Sequence, residues 1–334
     1  MSEPNEDLPN DDLPIIEPEE NDRMRCRFCG RLNKIKAHNT NASIRCGRCR
    51  LPLSDGPHKK WTNLDPHNYI HPLDSQALSA LKKIPGIDTI LKKLLEIFHE
   101  SSARVLFTGN AVRVNERQCP DLDAKLDVVC ATLGIEKPEL YISVTAGGGL
   151  GFNAFTGGVE KPFIVIYSAL LERLDDMEVL AVLAHEAGHI HAQHLLYKVA
   201  ADLLFYLSDV ILRGSPFAPL AELLSLPIKI ALVTWRQKAE LSCDRAALLV
   251  TQNERVVAST MMKLAGGTLS SKLDLDEFIA QAKDFDKKGA EDFLHKFWTT
   301  LIAGSMSHPF PVWRVSEIIE WAEKEDGYKR LIKN

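Results

Sequence analysis

The run His185-Glu186-Ala187-Gly188-His189 restricts the fold of this chain more than any other feature. In a helix, residues four apart return to nearly the same face, about 40° apart. Both imidazoles can then reach one point, while Glu186, one step from His185, is displaced to the side. The segment reads as helical, because Asp175 can cap it and Glu178 stands where a capping box needs it. Gly188 inside such a helix costs about 1 kcal/mol relative to Ala, so close packing or function must justify it. Two histidines and a glutamate at this spacing are the ligands and base of a metal site, with zinc the usual ion.

Such a site needs a third protein ligand. A histidine six residues beyond His189 would supply one, but that position is Leu195. His194 falls one residue short and His191 points to the opposite helix face, so both read as structural or surface residues. The better candidate lies downstream, where Glu240 and Asp244 share a helix face by the same four-residue spacing. Leu241, Ala246, Ala247 and Leu248 mark that helix as buried. Glu240 would complete a set of two His and one Glu with one open position. Asp244 would accept the outer N–H of a ligand imidazole and fix its orientation. Glu186 would then serve as the general base, taking a proton from the attacking water and passing it to the leaving amine.

A second metal site is written near the N-terminus. Cys26-Arg-Phe-Cys29 and Cys46-Gly-Arg-Cys49 match the spacing of a zinc ribbon. Four thiolates close a tetrahedral shell, so this zinc is structural rather than catalytic. A redox reading of the pairs is the weaker alternative, since redox pairs come singly beside a βαβ pattern. The basic residues around them, such as Arg25, Arg27, Arg45 and Arg48, read as a solvated surface rather than a nucleic-acid interface, because Phe28 is the sole aromatic among them. A protein partner for the ribbon stays open.

Charge and composition divide the chain. Residues 1–22 hold four Pro and no Lys or Arg, and read as a disordered acidic tail. Residues 23–60 form the ribbon, 61–72 a linker, and 73–334 the large domain. The net charge of −5 predicts no general pull toward nucleic acid. Cys119, Cys130 and Cys243 are isolated, and the polar, acidic start lacks the pattern of an export signal; together they predict reduced thiols and a cytoplasmic location. The apolar tract 195–235 is interrupted by charges such as Lys198, Asp202 and Lys229. It predicts no transmembrane span, and leaves peripheral membrane contact open.

Periodicity predicts helices over 73–100, broken at Pro85-Gly86, and over 121–133, stopped by Gly134. Short strands are predicted at 111–115, 140–144 and 163–167. The last of these is opened by Pro162, which suggests an edge position. The glycine-rich stretch 147–151 reads as a mobile turn, since no strand-to-helix context makes it a phosphate cradle.

The stretches Asn153-Ala-Phe155, His185-Glu-Ala-Gly-His-Ile190, Glu240-x-x-x-Asp244 and His308-Pro-x-x-x-x-Arg314, in this order, resemble the HtpX and type I prenyl-protease family of zinc gluzincins. The resemblance covers about residues 70–320. It implies an α+β, mostly helical zincin-type metallopeptidase domain with a small edge sheet, here preceded by the ribbon. It implies Asn153, Ala154 and Phe155 at the substrate, His308 as oxyanion stabiliser and Arg314 as its support. The implied activity is endopeptidase cleavage of peptides or unfolded proteins, with one catalytic and one structural zinc. Membrane members carry spanning helices between the metal motif and the Glu ligand, and this chain departs from them there. Two other readings stand beside it: a non-catalytic ribbon adaptor on a degenerate scaffold, and a metal-assisted hydrolase of small amides.

Overall fold

The computed structural model describes residues 23–35, 44–53, 57–61, 63–97, 104–105, 108–146, 149–150, 153–208, 226–291 and 309–333. Residues 1–22, expected as an acidic tail, Gly147, Gly148 and Gly151 of the stretch expected as a turn, and His308 lie outside the described residues. The fold is mostly helical, with one four-stranded sheet and two small two-stranded ones.

The ribbon opens with a hairpin of β1 (Arg23–Arg25) and β2 (Leu32–Lys34), paired antiparallel. Gly30 turns the first cysteine knuckle at φ +76°, a left-handed conformation that favours glycine. The second knuckle is closed by an antiparallel bridge between Arg45 and Pro52. Phe28 and Leu51 are fully buried and belong to the same apolar cluster as the large domain.

The segment expected as a linker is packed down. Leu64 and Tyr69 are buried, and a short 3-10 turn at Pro66–Asn68 is capped by Asp65. His71 caps α1 (Pro72–Lys82) through its ring and pairs with Glu317 at 3.0 Å. Pro85 and Gly86 separate α1 from α2 (Ile87–Ile97), as the pattern predicts.

The sheet holds β3 (Ala111–Arg113), β4 (Glu139–Ser143), β7 (Ala154–Gly157) and β8 (Phe163–Tyr167), in the order β3-β4-β8-β7. A separate pair of two-residue strands, β5 (Thr145–Ala146) and β6 (Gly149–Leu150), is antiparallel. The edge position expected for residues 163–167 is wrong. β8 pairs parallel with β4 on one side and antiparallel with β7 on the other. Its five residues are all buried, as an unbroken apolar run requires when both faces are covered. Pro162 precedes the ladder, so its missing N–H costs the strand nothing. The edge on that side is β7.

Between β3 and β4 runs α3 (Pro120–Leu133), ended by Gly134 in the left-handed conformation. After β8 come α4 (Ser168–Leu171) and the motif helix α5 (Asp176–His191). Asp175 accepts from the backbone of Met177 and Glu178, and Glu178 returns a bond to Asp175, so the capping box is complete. Then follow α6 (Leu195–Ser208), α7 (Leu226–Thr251), α8 (Glu254–Gly266), α9 (Leu275–Glu291), α10 (Pro311–Glu323) and α11 (Tyr328–Lys333). No helix of the described residues is long and apolar enough to cross a membrane. The described apolar side chains of the 195–235 tract instead form a second core, in which Tyr197, Ala200 and Ala201 meet Leu232 and Trp235 against Leu81 and Leu91.

Helix α5 packs against α7 more extensively than any other pair. Gly188 explains how. A Cβ there would fall 2.9 Å from Ala246 Cβ and 3.2 Å from Cys243 Cα. Its absence lets the two helices close. The ribbon braces the start of the same helix: Arg45 pairs with Asp176, to which Lys125 also binds at 2.9 Å. Arg48 reaches Asp127 at 2.8 Å, so two of the basic residues expected to be solvated hold the ribbon to the large domain.

Gly188→Ala should therefore destabilise the protein by about 1–3 kcal/mol, although Ala favours a helix interior by about 1 kcal/mol. A denaturant midpoint equal to or above that of the parent would contradict the close-packing account. A second test concerns pH. His58 Nε2 donates to the Val250 carbonyl at 2.7 Å, and its Nδ1 is buried with no hydrogen-bond partner among the described residues. Burial pushes this imidazole down to about 4, with Arg27 and Lys60 adding to the effect. A group with a depressed folded pKa, neutral when folded, contributes stability that is full above its unfolded pKa. That stability is lost as the pH falls from about 6.5 toward 4. The loss should reach about 3 kcal/mol in urea titrations and be absent in His58→Gln, which keeps a donor without titrating. Identical pH profiles for the two chains would exclude it.

Candidate active site

Helix α5 presents His185, Glu186 and His189 along one side, and α7 crosses it carrying Glu240. The Glu240 carboxylate lies between the two imidazoles. Its Oε2 is 3.3 Å from His185 Nε2 and its Oε1 is 3.5 Å from His189 Nε2. Ligand atoms at 2.0–2.2 Å from a tetrahedral zinc stand about 3.4 Å from one another. Each imidazole therefore stands one such edge from the Glu240 carboxylate, through a different oxygen in each case.

Cys243 competes for the third place, since its sulfur also lies within 4.8 Å of ring nitrogens of His185 and His189. Two observations favour Glu240. The Glu240 oxygens stand 3.3 and 3.5 Å from the two Nε2 atoms, the spacing of neighbouring zinc ligands. The Cys243 sulfur also sits 3.9 Å from His194 Nδ1, as part of the packing beneath the site.

Each imidazole is held from behind. His185 Nδ1–H donates to Asp244 Oδ1 at 2.9 Å. Arg314 grips that carboxylate with two bonds, Nε to Oδ2 at 2.8 Å and Nη2 to Oδ1 at 2.5 Å. Its Nη1 is 3.7 Å from Glu240 Oε2. Burial alone would raise the Asp244 carboxyl, but Arg314 and His185 outweigh it and hold the pKa below the usual range. His185 is buried too, yet Asp244 and Glu240 push it up to about 9. The carboxylates that hold a proton on this ring would equally hold a divalent cation.

His189 is held differently. Its Nδ1 meets His194 Nδ1 at 3.3 Å, and His194 Nε2 is 3.1 Å from Asp74 Oδ2. Asp74 also accepts from Trp235 Nε1 at 2.9 Å and Ser242 Oγ at 2.5 Å. Burial lowers the His189 pKa well below its usual value, which leaves a neutral ring. His194 and Asp74 were not legible as site residues: His194 misses the familiar ligand offset, and Asp74 is a lone acidic residue in the first turn of α1.

Glu186 is buried on the side facing β7. Thr156 Oγ1 donates to its Oε2 at 2.6 Å and lies 2.9 Å from its backbone carbonyl. The Thr156 carbonyl in turn accepts from the buried Lys198 at 3.1 Å. The Glu186 carboxylate is thus tied to the edge strand by Thr156, a residue that no spacing in the sequence marks.

The cleft over these groups is lined by Asn153 and Ala154, with Val182, Val257 and Met261 forming an apolar side. Phe155, expected beside Asn153 and Ala154, is on the other face of the strand. It packs on Phe163 and Tyr167 with ring centroids 6.3 Å away in both cases. Successive strand residues point to opposite faces, so Ala154 and Thr156 share the cleft side and Phe155 cannot. Arg314 stands behind Asp244 as described; His308 is outside the described residues.

In the ribbon the four cysteines are free and their sulfurs converge. Cys26 Sγ is 3.7 Å from Cys49 Sγ, and Cys29 Sγ is 3.6 Å from Cys46 Sγ. A tetrahedron with Zn–S arms of 2.3 Å has edges of about 3.8 Å, while a disulfide would bring a pair to about 2.05 Å. The bond between Cys26 and Cys49 lowers the Cys26 thiol and raises the Cys49 thiol, so in the absence of an ion the pair holds one shared proton.

The comparisons with known proteins bear on the same region. The family description "Peptidase family M48" matches residues 116–322, more than half of the chain. The chain is 34% identical over 289 residues to the plastoglobule-localized metallopeptidase 48, chloroplastic, of Arabidopsis thaliana, covering 86% of this chain and 81% of that one. It is 28% identical over 189 residues to protease HtpX homolog 2 of Methanosarcina mazei, covering 50% of this chain and 62% of the relative. A protease HtpX homolog of Acidiphilium cryptum is 28% identical over 183 residues, covering 49% of this chain and 62% of its own length. The chain thus spans less than two thirds of these HtpX relatives. No solved structure matches it. The family match and the relative aligned along most of its length agree with the motifs read from the sequence, and the chain belongs to peptidase family M48, as an HtpX-like zinc metallopeptidase.

Proposed function

We propose that this protein is an endopeptidase that hydrolyses extended peptides or unfolded protein segments. His185, His189 and Glu240 would hold the catalytic zinc, and Glu186 would act as general base. The observation that carries this reading is the position of the Glu240 carboxylate against both Nε2 atoms, with Glu186 lining the same cleft. When bound, zinc supplies Lewis acidity, which makes water a better nucleophile and polarises a carbonyl.

The chain's own residues do the rest. Glu186, steadied by Thr156, takes a proton from the attacking water and delivers it to the leaving nitrogen. Thr156 donates to only one carboxylate oxygen, which leaves the other for that proton. Asp244 keeps the proton of His185 on Nδ1, so Nε2 presents its lone pair to the ion. Arg314 neutralises Asp244 and steadies Glu240. His308 is proposed to stabilise the oxyanion on sequence resemblance alone.

Substrate would lie along β7, which ends the sheet on the cleft side. An edge strand offers alternating N–H and C=O groups, and a peptide adding to it is read through its backbone, with loose side-chain preference. Asn153 and Ala154 stand at the entry to that edge. This favours polypeptide over a small amide as substrate. The four cysteines of the ribbon would hold a second, structural zinc, and the ribbon would serve to brace α5. Free thiols suit a reducing compartment; cytoplasm is our proposal, while the Arabidopsis relative is named for the plastoglobule.

Glu186→Gln should retain zinc and lose casein cleavage by about 10²–10⁴-fold; activity within a few-fold of the parent would remove Glu186 as the base. Metal analysis should find two zinc ions per chain, and one after Cys26 and Cys29 are both changed to Ser. A chain that carries one ion in both forms would overturn the ribbon site.

A further inference from the structure

We infer that Asp74 and His194 form a positioning relay that sets the tautomer and orientation of His189, doing for this imidazole what Asp244 does for His185. The inference rests on the proposed zinc site and adds two residues to it. Asp74 stands in α1, upstream of the region that matches the family.

The geometry runs inward in three steps. Trp235 Nε1 and Ser242 Oγ, both from α7, each donate to a different oxygen of Asp74. Asp74 Oδ2 then faces His194 Nε2 at 3.1 Å, and His194 Nδ1 faces His189 Nδ1 at 3.3 Å. His194 is fully buried, and its ring meets those of His189 and Trp235 edge-on, with centroids 5.5 Å away in each case. It cannot turn without breaking that packing.

Two ring nitrogens that face each other can share one proton and no more. If His189 offers Nε2 to the ion, its Nδ1 carries hydrogen and donates to His194. His194 must then keep Nδ1 bare and carry its own hydrogen on Nε2, where the Asp74 carboxylate 3.1 Å away favours it by charge, although the two groups are not aligned for a hydrogen bond. Without the negative charge at Asp74, His194 is free to place its hydrogen on Nδ1. That would set two N–H groups head to head, or drive the His189 hydrogen onto Nε2, where the ion belongs.

The two supports differ in charge. Asp244 shares its carboxylate with the Arg314 guanidinium. Asp74 has no Lys or Arg within ion-pair distance among the described residues; its charge is directed at His194. A stapling role for Asp74, tying α1 to α7, accounts for the bonds from Trp235 and Ser242 but not for the approach of the His194 ring to 3.1 Å from the same carboxylate.

The test uses the full chain loaded with Zn(II) or Co(II), since cobalt reports on both sites. Thiolate-to-cobalt bands report the ribbon, and visible ligand-field bands report the histidine site. Asp74→Asn and His194→Leu should weaken metal at the histidine site by about 10–100-fold and shift its cobalt bands, while the ribbon bands persist. His194→Gln, which retains an acceptor facing His189 and a donor facing Asp74, should recover most of the affinity. Unchanged affinity and spectrum in Asp74→Asn and His194→Leu would overturn the relay. If Asp74→Asn loses metal from both sites together, the comparison of His194→Gln with His194→Leu decides, and equal affinities overturn it. A parent chain that binds only the ribbon metal would instead sink the site assignment itself.

Discussion

The contact between α5 and α7 is the constraint on which the site depends. A two-histidine helix holds an ion only when a ligand arrives from elsewhere at the right height and angle. Here that arrival is a matter of how closely two helices approach. Gly188 faces Ala246 and Cys243, and a single added carbon would have to push the helices apart. The carboxylate of Glu240 stands 3.3 and 3.5 Å from its imidazole neighbours, distances that leave little room for a shift between helices. The glycine that weakens the helix in isolation is thus what allows the site to close. Local propensity and function are in conflict at this residue, and packing decides in favour of function.

The same packing makes the site a problem in electrostatics. Glu186, Asp244, Glu240 and Asp74 are all buried close to it. Buried carboxylates are tolerated when each is hydrogen-bonded or paired. Asp244 has Arg314, Glu186 has Thr156, and Asp74 has Trp235, Ser242 and His194. Glu240 has the two imidazoles and the edge of the Arg314 guanidinium. The surplus of negative charge at the meeting point of α5 and α7 is what a divalent cation would balance.

Most of this was legible where spacing alone carries the information. The helix period puts His185 beside His189 and Glu240 beside Asp244, the capping box announces the start of α5, and two cysteine pairs announce the ribbon. What was not legible depends on partners far away in the chain. Residues 163–167 look like an edge because Pro162 opens them, but strand order is decided by which segments return to pair, and β7 returns outside β8. Phe155 shares a short segment with Asn153 and Ala154, yet the strand period turns it to the opposite face. Thr156, His194 and Asp74 carry no distinctive spacing; a threonine beside an aromatic or an aspartate at a helix start is commonplace. Only their convergence on Glu186 and His189 marks them.

The ribbon raises the question of what counts as a module. Its cysteine pairs are self-contained in sequence, and its basic residues suggest a free surface. In the folded chain Phe28 and Leu51 share one apolar cluster with the large domain. Arg45 and Arg48 are bound to Asp176 and Asp127, and the end of the ribbon is stitched down by His58 to Val250 and by Lys59 to Gln252. Asp176 opens the helix that carries the metal motif, and Val250 lies near the end of the helix that carries Glu240. The ribbon therefore touches both helices whose mutual approach defines the site, at the ends away from the site itself. A rigid cap at those ends restricts how α5 and α7 can slide or splay, and burial of its own apolar side chains against them makes the cap cooperative with the rest of the fold. By this reasoning zinc held by the four cysteines would act on the site through the geometry of two helices rather than through any group that reaches the cleft.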